Sequence, residues 1–209
     1  MDYITTQDQG SERREQILEV ALKQFSDYGY HKTKVSDIVK AAGVAQGTFY
    51  WYFKSKEAIA LEIIHNKEAD LIAVVSQGYR ESKVTVQEVV QASEKLFEDY
   101  FVFSQQNKYF MRLLLKGMET EESVQSAILE TRIKLEKAFQ KNIERAADLG
   151  ILPQKDPMVQ SALLVSLLEG MLERWLFNPQ QGYSKLQSQS AKQLAQDVVQ
   201  FEFFGLLGI

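Results

Sequence analysis

Cysteine is absent from the 209-residue chain, which excludes disulfides, thiolate catalysis and cysteine-ligated metal. Histidine is scarce. The two present, His31 and His65, are widely separated and have no cysteine beside them, so no metal site is expected. The sequence contains no Ser–His–acid arrangement, glycine-rich phosphate loop or paired-carboxylate motif. It therefore offers no catalytic cluster, asks for no cofactor and reads as a non-enzyme. No apolar run approaches the ~20 residues that a membrane helix needs; the best, residues 162–168, is cut by Ser166 and stopped by Glu169. Residues 1–10 are polar with two aspartates, unlike a signal peptide. The expectation is a cytoplasmic protein. Strand-like alternation never persists either, which leaves an all-α fold of about nine helices.

Charge is present but unevenly placed. The chain carries a net −4, yet between residues 29 and 56 five lysines (32, 34, 40, 54 and 56) face one acid, Asp37. That stretch is +4, so the remainder carries −8. A basic patch on an acidic body suits a nucleic-acid-binding segment attached to a second function.

The patch coincides with a run of short helical signals. A first helix opens at Ser11 or Glu12, places Ile17, Leu18, Ala21, Leu22, Phe25 and Tyr28 on one face, and ends at Gly29. Arg13 and Arg14 at its start suit either a phosphate or plain solvent. Thr33 is read as the N-cap of a second, short helix whose apolar face is Val35, Ile38, Val39 and Ala42. Residues 42–44 leave room only for a tight turn, and Gly43 supplies the positive φ such a turn needs. A third helix over residues 46–53 places Phe49 and Phe53 on one face, four residues apart. At 100° per residue the opposite face is Gly47, Thr48 and Trp51, flanked by Gln46, Tyr50 and Tyr52. Helix, three-residue turn with glycine, helix is the helix-turn-helix pattern, and its outer helix suits a major groove.

The chain changes character after residue 56. Ser55 caps a long helix to about Gln77, and Gly78 is its expected end. Thr85 and Glu88 form a capping box ahead of a helix rich in large apolar groups. A short apolar helix at 109–118 and a long one at 121–149 follow. Asp156-Pro157 opens a helix to Phe177. A polar loop over residues 180–188 leads to a last helix and the apolar tail 201–209.

The residues Thr33, Val35, Asp37-Ile38, Ala42-Gly43-Val44, Gly47-Thr48-Phe49-Tyr50-Trp51-Tyr52-Phe53 and Lys56-Glu57 resemble the N-terminal signature of TetR/AcrR-type transcriptional regulators. The match covers residues 11 to 60, about a quarter of the chain. The resemblance implies a flexible arm at 1–10, a helix-turn-helix DNA-binding domain at 11–56 and an effector-binding and dimerisation domain at 57–209. It implies a homodimer, joined through the two C-terminal helices of each subunit, bound to an inverted-repeat operator in double-stranded DNA. On that pattern Gln46, Gly47, Thr48, Tyr50 and Tyr52 face bases or flanking phosphates, while Thr33 and Lys56 hold the backbone. Two departures stand out. Ala45 occupies a capping position often held by Ser or Thr, and Lys34 replaces what is commonly a small or hydroxyl residue, adding a candidate phosphate contact. Trp51 is read either as a DNA contact or as packing against the first helix.

The resemblance also implies a cavity in the larger domain. Tyr100, Phe101, Phe110, Met111, Met118, Phe139 and Met171 are its expected lining, and Arg112, Glu169 and Arg174 its candidate polar anchors; each of these residues equally suits a plain core or surface role. Such a pocket fits a hydrophobic or amphipathic effector, either an acyl derivative or a multidrug-type cation. The expected function is a repressor that the effector releases from DNA. The alternative is an effector-independent DNA-binding or protein-interaction module on the same fold.

Overall fold

A computed structural model describes residues 4–77, 85–117, 120–178 and 184–205. Among these residues there are no strands. The helices are α1 (Ile4–Tyr28), α2 (Val35–Ala42), α3 (Gln46–Tyr52), α4 (Lys56–Val75), α5 (Val86–Gln106), α6 (Lys108–Lys116), α7 (Glu122–Asp148), α8 (Pro157–Leu172), α9 (Ser184–Gln187) and α10 (Ala191–Phe204). The all-α expectation holds. The chain forms two compact units, Met1–Glu68 with Tyr109–Thr131 and Ala69–Lys108 with Arg132–Ile209.

In the first unit the apolar stripe of α1 (Ile17, Leu18, Ala21, Leu22, Phe25) is buried with Ile38, Val39 and Ala42 of α2 and Phe49 of α3. Three side-chain pairs tie α6 and the start of α7 into the same unit. Arg112 pairs with Asp27 at 3.2 Å, the Ser123 hydroxyl donates to Glu57, and the Thr131 hydroxyl donates to Glu68 at 2.7 Å.

α1 starts at Ile4, inside the stretch expected as an arm. Gln7, Asp8 and Gln9 are helix-compatible and no proline intervenes, while one interior glycine costs only about 1 kcal/mol. Gly10 lies where an added Cβ would come within 3.7 Å of the Tyr52 hydroxyl.

In the second unit α10 packs along α5, burying Leu194, Ala195, Val198 and Val199. Rings fill the centre: Phe97 and Tyr100 lie 6.4 and 5.8 Å from Phe139, and Phe101 meets Trp175 edge-on at 5.9 Å. The capping box at Thr85 and Glu88 is present, and Asp156 caps α8 through the Met158 amide at 2.9 Å. The helix expected to run to Phe177 stops at Leu172 and widens into one π-helical turn, Glu173–Phe177. There the Trp175 indole N–H donates to Gln189 O at 3.2 Å. The polar loop contains the short α9, which brings the helix count to ten among the described residues.

Candidate nucleic-acid interface

The turn before α3 is built by hydrogen bonding. Gly43 sits in the left-handed region at φ 64°, ψ 32°. Its N–H donates to Lys40 O at 3.3 Å, and Val44 N–H donates to Val39 O at 3.0 Å, which together close α2 as a Schellman motif. The Gln16 side chain donates to Ala42 O at 3.2 Å, pinning the turn to α1.

α2 starts differently from the sequence reading. Thr33 is not its N-cap, because the Thr33 hydroxyl points back and donates to Gly29 O at 2.8 Å and Gln24 O at 3.2 Å. Lys34 holds the cap position, and a lysine side chain cannot accept a hydrogen bond. Asp37 compensates by accepting from the Lys34 N–H at 2.8 Å.

α3 has only seven residues, and its N-cap, Ala45, makes no side-chain bond. The helix is held instead by its inward face: Phe49 is fully buried and its ring lies 5.7 Å from that of Phe53. Arg14 covers Phe53 at 5.2 Å and pairs with Glu62, so the guanidinium is committed within the chain.

The outward face is correspondingly open. Gln46 and Gly47 are exposed, Tyr50 is 51% exposed and Trp51 77%. Thr48 and Tyr52 are half-buried. The Trp51 ring meets Tyr52 edge-on at 4.5 Å and stands clear of the core. A Cβ added at Gly47 would meet no atom within 4 Å, so nothing in the chain itself demands glycine there. Lys32, Lys34, Lys40 and Lys54 are exposed around this surface.

Two of the expected interface residues lie underneath it. Thr33 is 2% exposed. The Lys56 ammonium donates to Tyr30 O at 2.9 Å and Thr33 O at 3.2 Å, and lies 4.0 Å from the Tyr30 ring. Burial, and then the nearby Glu121 carboxylate, push the Tyr30 phenol well above its ordinary range, so the ring stays neutral below the lysine. Thr33 and Lys56 thus lock the loop between α1 and α2.

The expected effector residues divide between the two units. Phe110 and Met111 are buried in the first, Tyr100, Phe101 and Phe139 are buried in the second, and Met171 there is half-buried. Met118 lies outside the described residues, as do Gly78 and residues 206–209 of the apolar tail. The candidate anchors all have partners. Arg112 pairs with Asp27, Glu169 accepts from Arg132 at 3.0 and 3.1 Å, and Arg174 donates to Gly170 O at 2.7 Å. Sequence spacing could not show these, because two of the three join residues more than 30 positions apart.

No helix among the described residues is long and apolar enough to cross a membrane.

Comparison with known proteins agrees with this geometry. The family model described as bacterial regulatory proteins, tetR family, matches residues 17–63. The chain is 27% identical over 205 residues to the uncharacterized HTH-type transcriptional regulator YdgC of Bacillus subtilis (strain 168), covering 95% of this chain and 94% of that protein. It is 28% identical over 186 residues to the HTH-type transcriptional regulator AcrR of Shigella flexneri, covering 84% and 83% respectively. Among solved structures, the fatty acid degradation regulator FadR of Bacillus halodurans shares the fold with a TM-score of 0.74 at 21% identity, covering 93% of this chain and 96% of that one. FadR of Bacillus subtilis, solved in complex with stearoyl-CoA, superimposes with a TM-score of 0.71 at 20% identity, covering 92% and 98%. The family model lies on the helix-turn-helix, so residues 17–63 carry a tetR-family DNA-binding segment, and the two regulators similar over most of the chain extend that likeness across both units.

Proposed function

We propose that this chain is a cytoplasmic, homodimeric repressor released from an inverted-repeat operator by a small hydrophobic or amphipathic effector. The observation that carries the DNA half of the reading is the polarity of α3, with Phe49 sealed inside and Gln46, Gly47, Tyr50 and Trp51 open outside. Each outward group has a matching chemistry on DNA. Glutamine bonds adenine bidentately, a threonine methyl packs on a thymine methyl, and tyrosine hydroxyls and Lys34 reach phosphate oxygens. Gly47 lets the helix backbone approach the bases. Thr33 and Lys56 contribute by fixing the loop that presents Lys34.

Dimerisation through α8 and α10 is supported by their exposed apolar side chains: Met158, Val159 and Leu163 on the first, Phe201 and Phe204 on the second. Large exposed apolar groups on neighbouring elements suit an interface between copies. The effector reading draws on the aromatic cluster of the second unit, and the stearoyl-CoA bound to Bacillus subtilis FadR makes an acyl chain one candidate. Release requires only that the effector bind the DNA-incompetent state more tightly than the competent one. Tyr100, Phe101 and Phe139 are nevertheless fully buried, with both phenylalanine rings edge-on to Tyr100, which favours the second reading, an effector-independent DNA-binding module.

The test is selection of DNA fragments by the purified protein at two salt concentrations. An inverted repeat recovered with steep salt dependence is the expected result. Tyr50→Ala should lose that binding while keeping the wild-type melting temperature. Wild-type affinity in Tyr50→Ala would refute the interface.

A further inference from the structure

The polar groups that suit an effector's head on sequence grounds are committed to partners in the chain. One carboxyl oxygen in the second unit is not. Glu202, in the last turn of α10, has an Oε2 atom shielded from solvent and without a hydrogen-bond partner among the described residues. It borders a cavity of about 20 Å3 whose walls include Ser93 and Phe97 from α5, Phe139 and Asn142 from α7, and Leu164 from α8. None of the residues lining the cavity is charged or titratable apart from Glu202 itself.

A buried acceptor with no donor is costly, and an unpaired buried carboxylate more so. Its missing partner must be small, because a cavity of this volume admits one water-sized group. It must also donate protons and tolerate an aromatic wall, which a cation does better than a neutral group. Asn142, which also lines the cavity, donates its side-chain amide to Val75 O at 2.9 Å.

We infer that Glu202 anchors the effector, and that the effector carries a primary ammonium head whose –NH3+ group alone enters this cavity. The inference rests on the reading of the second unit as an effector domain. A quaternary ammonium is larger than the cavity and has no N–H to donate; a carboxylate or phosphate head brings like charge to Glu202.

Without ligand the site is satisfied by a proton, since burial pushes the Glu202 carboxyl up to about 7. Binding an ammonium then displaces that proton. The ionised fraction rises from about a tenth at pH 6 to about nine-tenths at pH 8, so affinity should rise about tenfold over that interval.

The experiment is a thermal shift of the full-length protein with octylamine, octyltrimethylammonium and octanoate, at pH 6 and pH 8, in wild type and Glu202→Gln. The glutamine variant keeps shape and removes only charge, and its own melting temperature establishes that it folds. Octylamine alone should stabilise the wild type, more strongly at pH 8, and Glu202→Gln should abolish that shift. An equal octylamine shift in Glu202→Gln, or none in the wild type, overturns the assignment. If selected operator DNA is released by an acyl compound and not by octylamine, the ammonium inference fails while the regulator reading stands. If octylamine binds through Glu202 but no DNA is selected, the reverse holds.

Discussion

Replacing Lys56 with alanine separates a positioning role from a surface contact. Lys56 lies under the loop between α1 and α2, donating to Tyr30 O at 2.9 Å and Thr33 O at 3.2 Å across the Tyr30 ring. Hydrogen bonds to a charged group contribute about 1.5–3 kcal/mol each, and a cation–π contact about 0.5–2 kcal/mol. These terms share one ammonium and water refills part of the gap, so they do not add. Lys56→Ala should therefore cost roughly 2–3 kcal/mol of stability. In urea that loss shifts the midpoint by about 1 M or more, given a typical slope of about 1–3 kcal/mol/M. Lys56→Met, which keeps the apolar stem over the ring, should lose less. DNA binding by Lys56→Ala should fall as well, because Lys34 and the start of α2 lose their support. The assay is a urea melt run beside a DNA-binding titration for both variants and for Tyr50→Ala. A Lys56→Ala protein with an unchanged midpoint and lost DNA binding would refute the brace and make Lys56 a direct phosphate contact.

Two further outcomes follow from the same geometry. Ala45→Ser should raise stability by about 1 kcal/mol, because the residue already has cap dihedrals, φ −73° and ψ 152°, and a hydroxyl there can accept from the Gly47 amide, the Thr48 amide already donating to Ala45 O at 3.0 Å; an unchanged melt would show that α3 gains nothing from a cap. Glu202→Gln should be indistinguishable from wild type near pH 4 and more stable at pH 8. The folded-state value, up to about 7, exceeds the unfolded one, so the wild type holds its full stability below the unfolded value and loses it as pH rises towards 7. The loss reaches a ceiling of about 3 kcal/mol, and parallel pH–stability curves for the two proteins would contradict a buried, unpaired carboxyl.

The parts of the fold that were legible in the sequence are those set by neighbours in the chain. Gly43 between two short apolar faces, Thr85 with Glu88 and Asp156 before Pro157 all act over three or four residues, and the structure contains each. The start of α1 was not legible, since polar helix-compatible residues carry no stripe to mark it. Thr33 misled for a different reason: its hydroxyl could satisfy either the amides ahead or the carbonyls behind, and only the packed loop chooses. Within the candidate interface, the spacing of Phe49 and Phe53 identified the inward face and hence the outward one. It could not show that Arg14 pairs with Glu62 or that Lys56 turns inward, because those partners come from other helices. Glu202 gave no signal at all. A glutamate between phenylalanines at the end of a helix is most economically read as solvent-facing, and its burial depends on walls from α5, α7 and α8.

The brevity of α3 is itself part of how the interface works. Isolated helices below about 12–15 residues are marginal in water, and α3 has seven residues with no side-chain cap. Its shape is therefore imposed from one side, by Phe49 and Phe53 below and by the closed turn at Gly43 before it. The residues on the other side are largely free of the core, although the Tyr50 ring meets Phe49 edge-on at 5.4 Å. Gln46, Gly47, Tyr50 and Trp51, the groups proposed to read DNA, can vary while the helix stays in place, because they are not the groups that hold it. The division has a cost. Leaving Trp51 and Tyr50 exposed on a two-turn helix makes the stability of the reading surface depend on a distant set of contacts: Arg14 on Phe53, Gln16 on the turn and Lys56 under the loop. Substitutions in that set should weaken DNA binding without touching DNA, and should do so in proportion to the stability they remove.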